Sequence, residues 1–425
     1  MPFILKLILL FIPVFGFLFL RRRLKPLWSF IAILYLLGLS TYPLLSVGRM
    51  VYLNYPKPPE WDFLCFWSSA RVAVQGGDFY DPQSFYSLSL PYEPSEPFKE
   101  EWMNVGFWYP PTTMLLFLPL GLLEFSTGYF IWQFVNILLS FACIYVLWRS
   151  FLAEHGLFGL LLVAALLLTL TPSRSTFWFA QTNFLLLLLF LLFWRNRSKA
   201  WSGIFITVCA VIKPYMFILF LYPLLTRKWK QFLVAIAAML LLVFMSVFIF
   251  GPEVFIRFLS APAPDVPSFY YTEPINQSLL STVLRVTGYQ GGGGLPLSNP
   301  LYLGISALLA ALTGWAIVRD LTARDDWVVL SLLFFALLIY PGTLAHYGVF
   351  LMVPITFLLG SLNSSNRQRV VVFVIIFVTY LLSGFNNSGN YVFIANLFVW
   401  LICISSGLGL LDQITEHIPA LSFSH

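Results

Sequence analysis

The sequence predicts an all-α, polytopic membrane protein, and three observations carry that prediction. Of 425 residues, 59% are hydrophobic and only 10% are charged, with a mean hydropathy of +0.84, whereas a soluble domain is about one quarter charged. Hydrophobic runs near the length of a membrane crossing begin near residues 3, 26, 107, 128, 157, 180, 200, 231, 299, 327, 345, 370 and 390. That spacing predicts about 10–13 transmembrane or re-entrant helices in a single integral membrane domain, residues 1–425. The third observation is where the basic residues lie. RRRLK at 21–25, RNRSK at 195–199, RKWK at 227–230, Arg319 with Arg324, and Arg367 with Arg369 hold 14 of the 24 lysines and arginines. All fall between hydrophobic runs and mark the cytoplasmic side. The net charge of +6 therefore reads as topology rather than as a nucleic-acid footprint.

The first run lacks a basic leader and is followed by arginines instead of a small-residue cleavage site, so it is expected to stay as a helix. The helix from about 26 to 50 then delivers residues 54–106 to the extracytoplasmic face. That loop carries 8 of the 18 acidic residues against only Lys57, Arg71 and Lys99. Five runs lie between the cytoplasmic clusters at 25 and 195, where an even number of crossings is needed, so one of them cannot span. The runs at 157–171, 180–194, 200–212 and 214–225 are short, and the last two are divided by Lys213-Pro214. Broken helices are tolerated where backbone packs in protein or lines a cavity, which points to a buried binding site here. From 227 onward the crossings alternate without strain, and residues 251–298 form a second extracytoplasmic loop. Three of the four cysteines sit in apolar runs, so neither a disulfide framework nor a zinc site is expected. GGGG at 291–294 has no preceding strand and no following Lys-Ser or Lys-Thr, and reads as a flexible loop.

The candidate chemical residues are polar groups at the edges of apolar runs. In EWDFLCFWSSARVAVQGGDFYDP, residues 60–82, Trp61 to Gln75 can form a helix that Gly76-Gly77 stops. Asp62 falls in its first turn, on one face with Phe66, Ser69 and Ala73, and can serve as a helix cap or as a general base. Asp78 and Asp81 read as solvated loop residues. Tyr109-Pro110-Pro111 starts the next helix, with Tyr109 suited to an interfacial belt or to an acceptor site. In SRSTFWFAQTNFLLLLLF, Arg174, Gln181 and Asn183 can join helices or bind a phosphate and sugar hydroxyls. Lys213 can snorkel to a surface or meet an anion. Asn276, Gln277 and Arg285 lie on an amphipathic loop segment with either a solvated or a ligand-binding reading. His346 starts a late helix and is structural or a partner of Asp62. No HExxH, GxSxG, Walker A or paired CxxC occurs, so zinc hydrolysis, serine hydrolysis and NTP binding lack support.

In order, WDFLCFWSSARVAVQGGDFYDP, FWYPPTTMLLFLPLGLL, FWFAQTNFLLLLL, VIKPYMFILFLYPLL, NQSLLSTVLR and YPGTLAHYGVFLMVP resemble glycosyltransferase family 87, across about residues 55–360. The resemblance implies a GT-C-type glycosyltransferase fold. It also implies transfer of mannose or a related hexose from a polyprenyl-phosphate-linked donor to a lipid-linked or glycan acceptor, at the extracytoplasmic face of a bacterial inner or plasma membrane. No metal, cofactor or nucleic acid is implied; the expected partners are donor, acceptor and membrane lipids. Asp62 then matches the family's catalytic acid and His346 its late histidine. Two departures stand out. The family's usual Gly before Gln is Ala180 here, and its Ser-Pro-x-x-Trp-x-His is Tyr340-Pro341-Gly342-Thr343-Leu344-Ala345-His346. The expected mechanism is inverting: Asp62 as general base, Lys213, Arg285 or Arg174 on the leaving phosphate, and Tyr109, Gln181, Asn183, Asn276 and Gln277 on sugar or acceptor. The rival class is a transporter or flippase of lipid-linked sugars, for which polar groups at broken helices are also expected. The two large loops on one face and the lack of an inverted repeat in the hydropathy weigh against it.

Overall fold

A computed structural model describes residues 3–20, 26–53, 61–89, 107, 109–260, 268–289, 296–320, 325–360, 366–384 and 389–407. The cluster at 21–25, the glycine run at 291–294 and the parts of the first loop at 54–60 and 90–106 lie outside them. The described chain is helical, with one isolated antiparallel bridge between Asn276 and Leu344 as its only β pairing. Four stretches are long and apolar enough to cross a membrane: Leu27–Leu53, Phe125–Thr169, Trp229–Phe250 and Pro300–Arg319. Shorter apolar helices, Asn183–Arg195 and Tyr391–Ser405 among them, fill the space between. This is an all-α polytopic membrane protein.

The chain divides into two units: residues 46–139 with 176–270, and residues 1–45, 140–175 and 271–425. In the first, the helix Trp61–Val74 lies on Pro111–Gly121. Gly121 permits this, because a Cβ there would sit 2.5 Å from the Ala70 carbonyl oxygen. Phe66 and Phe117 stack at 4.1 Å. Trp67 Nε1 donates to the Leu123 carbonyl at 3.0 Å, and Arg71 Nη1 to the Gly121 carbonyl at 2.9 Å. The helix ends as its sequence predicts: Gly76 takes φ +75, and Gly77 N–H returns to the Val72 carbonyl at 2.9 Å in a Schellman-type stop. Asp81 is more than a solvated loop residue. It caps the helix Pro82–Ser89, accepting from Gln83 and Ser84 N–H at 3.2 and 3.1 Å, while Asp78 pairs with Arg257.

The same unit holds Gly203–Ile212 against Trp229–Phe250. A Cβ on Gly203 would meet the Gln231 carbonyl oxygen at 2.4 Å, and Thr207 Oγ1 donates to the Ala235 carbonyl at 2.8 Å. Between hydrocarbon-facing helices, small residues and side-chain hydrogen bonds supply association because burial from lipid gives no hydrophobic gain; such bonds average about 0.6 kcal/mol. The break at Lys213-Pro214 is real. Lys213 is extended (φ −134, ψ 111) and a 3₁₀ segment, Pro214–Phe220, follows, because proline disfavours helical conformation in the residue before it.

In the other unit, Asp325–Ile339 packs on Tyr391–Gly407, and Trp400 Nε1 donates to Thr313 Oγ1 at 3.0 Å. The apolar N-terminal run is helical over Phe3–Phe15. Its Phe11 meets Phe373, Phe377 and Tyr380 edge-on.

Candidate active site

Asp62 is the second residue of its helix, and its carboxylate reaches across the unit instead of capping locally. Oδ2 accepts from Gln181 Nε2 at 2.6 Å, a bond spanning 119 positions of sequence. Gln181 is 2% exposed. Burial pushes the Asp62 carboxyl above its ordinary range, and the Gln181 hydrogen bond and then the Lys213 charge oppose that rise. Desolvation favours the neutral acid, while a donated N–H and a nearby cation favour the carboxylate.

Gln181 arrives there on a tight turn between Thr171–Trp178 and Asn183–Arg195. Ala180 adopts φ +47, the left-handed region that a Cβ disfavours, which accounts physically for glycine as the family's usual residue. The turn is tied from Phe125–Leu147. Trp132 Nε1 donates to the Ala180 carbonyl at 2.6 Å, and Gln133 Nε2 to the Phe177 carbonyl at 2.7 Å. Asn136, with its amide turned to match its neighbours, donates to the Gln181 carbonyl at 3.1 Å. Asn183 Nδ2 donates to Thr176 Oγ1 at 3.2 Å.

Lys213, 2% exposed, donates from Nζ to the Tyr109 hydroxyl at 2.8 Å and lies 4.6 Å from that ring's centre. Tyr109 is thus held in the cluster. Its carbonyl accepts from the Tyr80 hydroxyl at 2.6 Å, and its ring lies 5.3 Å from Phe66 on the helix that carries Asp62. One unit therefore gathers Asp62, Gln181, Lys213 and Tyr109, with Asn183 on the same turn as Gln181.

The remaining candidates belong to the other unit and are differently employed. Arg285 Nε donates to Asn390 Oδ1 at 2.9 Å. Its Nη1 donates to the Glu273 carbonyl at 2.8 Å and to Ser281 Oγ, and its Nη2 to the Asn276 carbonyl at 2.9 Å and to Asn390 Oδ1. All five N–H donors of a guanidinium are thereby committed to partners within this unit. Asn276 Nδ2 donates to the Pro341 carbonyl at 2.9 Å. Gln277 Nε2 donates to the Gly389 carbonyl at 2.7 Å, and Gln277 Oε1 accepts from Phe393 N–H at 3.1 Å. Both are buried, neither solvated nor open to sugar hydroxyls, and they stitch their loop to 341–345 and 389–393. His346 is fully buried in the 3₁₀ segment Ala345–Leu351, its ring 5.0 Å from that of Tyr347. Arg174 is exposed on Thr171–Trp178.

Trp132, Gln133 and Asn136 join the candidate residues only through the structure. Their signal was available: Gln133 and Asn136 are amides three positions apart inside an apolar run, where unsatisfied amides are costly.

The model of glycosyltransferase family 87 matches residues 107–345, more than half of the chain. A polyprenol-phosphate-mannose-dependent alpha-(1-2)-phosphatidylinositol pentamannoside mannosyltransferase of Mycobacterium tuberculosis is 27% identical over 322 residues, covering 74% of this chain and 70% of the relative. The protein of that same description from Mycolicibacterium smegmatis is 30% identical over 274 residues, covering 62% and 64%. An alpha-(1->3)-arabinofuranosyltransferase of Mycobacterium tuberculosis is 24% identical over 271 residues, covering 57% and 59%. No solved structure matches the chain significantly. On the family match, with apolar helices throughout and a polar cluster around one carboxylate, the chain belongs to glycosyltransferase family 87 and is a membrane glycosyltransferase.

Proposed function

We propose that this glycosyltransferase moves a hexose, mannose in the first instance, from a polyprenyl-phosphate-linked donor to a hydroxyl of a lipid-linked or glycan acceptor. The reaction takes place at the extracytoplasmic face of the cell membrane. The observation that carries the reading is the Asp62 carboxylate, bonded to Gln181 and under the influence of the Lys213 charge. The printed descriptions of the two mannosyl relatives support the donor class, and the five basic clusters support the face. The family's activity displaces the transporter and flippase reading.

In the proposed step Asp62 accepts the proton of the acceptor hydroxyl as that oxygen attacks the anomeric carbon. The bond from that carbon to the phosphate oxygen breaks on the opposite side, its electron pair leaves with the polyprenyl phosphate, and configuration inverts. Lys213, steadied by the Tyr109 hydroxyl, supplies positive charge toward the leaving phosphate. The extended Lys213 backbone before Pro214 is what lets a buried ammonium stand between two helical segments.

The test is a transfer assay with labelled polyprenyl-phosphate mannose on purified protein in nanodiscs, for the native chain and for Asp62→Asn. Loss of transfer in a folded variant is expected, and native turnover would sink the role of Asp62. The arabinofuranosyl relative supplies the second donor to run beside mannose. Transfer from polyprenyl-phosphate arabinose alone would redirect the sugar assignment and leave the mechanism standing.

A further inference from the structure

Gln181 was a candidate for sugar hydroxyls, yet its bonding points elsewhere. Its Nε2 is committed to Asp62 at 2.6 Å. Its Oε1 is buried and meets no hydrogen-bond donor among the described residues. Among the described residues, Asp62 is therefore the hydrogen-bond partner that sets which way this amide faces. An amide turned the other way would set two acceptor oxygens against each other unless Asp62 carried the proton.

The surroundings fix that amide from behind. Trp132, Gln133 and Asn136, three residues of one helix within two turns, grip the carbonyls of Ala180, Phe177 and Gln181. Gln133 is itself anchored, donating to the Tyr129 hydroxyl at 3.0 Å. The turn holds Ala180 at φ +47, a conformation that persists only where its surroundings over-determine it. Three separate ties, one to the last turn of the preceding helix and two to the four-residue turn, are more than linking two helices requires, and the turn side chain they deliver is the one that meets the carboxylate.

We infer that Gln181 is the positioning residue of the base: braced by Trp132, Gln133 and Asn136, it holds the Asp62 carboxylate in one orientation by a hydrogen bond donated to it. The inference rests on the proposed role of Asp62 and adds a residue and a brace to it. The other groups that bear on Asp62 are the Lys213 ammonium, paired with the Tyr109 hydroxyl, and the Cys65 thiol one turn along the same helix. Lys213 acts in the same direction as Gln181. Cys65 stays a neutral thiol, because burial and the Asp62 charge both push its titration upward.

The experiment is the pH dependence of kcat/KM for mannosyl transfer by the full chain in nanodiscs, comparing native protein with Gln181→Met, which keeps the length and loses the donor. Without the N–H the carboxylate is harder to ionise. The acid limb is expected to move up by about one pH unit, with a fall of about tenfold at the plateau from lost orientation. Trp132→Phe, which removes the bond to the Ala180 carbonyl and leaves the Asp62 and Gln181 side chains unaltered, is expected to move the limb the same way by less, and it keeps the test open if Gln181→Met does not fold. An unchanged limb in whichever of the two variants folds overturns the inference. Asp62→Asn separates this failure from failure of the catalytic reading. If it is inactive while the limbs stay put, only the positioning role falls; if it is active, the base assignment falls.

Discussion

Each unit holds a basic side chain out of full solvent, Lys213 buried and Arg285 half-buried, and the two differ in where the hydrogen bonds go. Around Arg285 the donors end on backbone carbonyls and on the Ser281 and Asn390 side chains: Glu273 and Asn276 carbonyls for the guanidinium, Pro341 for Asn276, Gly389 for Gln277. Around Asp62 they end on other side chains: Gln181 on the carboxylate and Lys213 on a phenol. A cation whose donors are all committed to the chain holds a loop in place. A carboxylate faced by an amide and influenced by an ammonium has its protonation set by those neighbours, which a base requires. Residue type and burial alone do not tell the two apart.

The largest expected effect falls on the second cluster: Asp62→Asn lowers kcat by about 10³-fold with the thermal midpoint of the purified protein near native. The same style of change in the first cluster should do the reverse. Arg285→Met leaves Asn390 Oδ1 without its donors and takes one donor each from the Glu273 and Asn276 carbonyls, at about 1–3 kcal/mol for the acceptor left unpaired, so folded yield and thermal midpoint drop while the protein that does fold keeps its donor KM. A raised donor KM with native stability would erase the distinction between the clusters. Next comes Lys213→Met. Losing a charge-assisted contact worth about 1.5–3 kcal/mol raises donor KM about 10- to 100-fold and leaves acceptor KM nearly unchanged. It also removes a cation that lowers the Asp62 titration, so activity on acidification is lost at higher pH than in the native enzyme. Equal losses for both substrates would place Lys213 with the stitches. The smallest effect sharpens the account of the turn. Ala180→Gly relieves about 1 kcal/mol of left-handed strain against about 0.4–1 kcal/mol of added freedom in the unfolded chain, for a thermal midpoint at or slightly above native. A clear fall would mean that the Ala180 methyl is packed to advantage.

Much of the fold was legible because its signals are local. Gly76-Gly77 ending one helix, Pro110-Pro111 opening another and Lys213-Pro214 dividing a third all act through the backbone of adjacent residues, and each appears where the sequence put it. The helix cap reading of Asp62 and the belt reading of Tyr109 were equally local, and there the sequence was ambiguous. Both side chains spend their polar atoms on partners about 100 or more positions away. Arg285, Asn276 and Gln277 looked like ligand-binding groups for the same reason: their types announce hydrogen bonds without saying to what. The brace on the turn was visible only as two amides in an apolar run.

By itself the sequence determined that this chain lies in a membrane, where its helices break and which family it resembles, since hydropathy, proline and ordered motifs are properties of neighbouring residues. Which partners its polar groups meet was decided only by the tertiary structure. Each type carries a fixed number of donors and acceptors, and whether these reach a carboxylate or a backbone carbonyl depends on which distant helix the fold sets beside them.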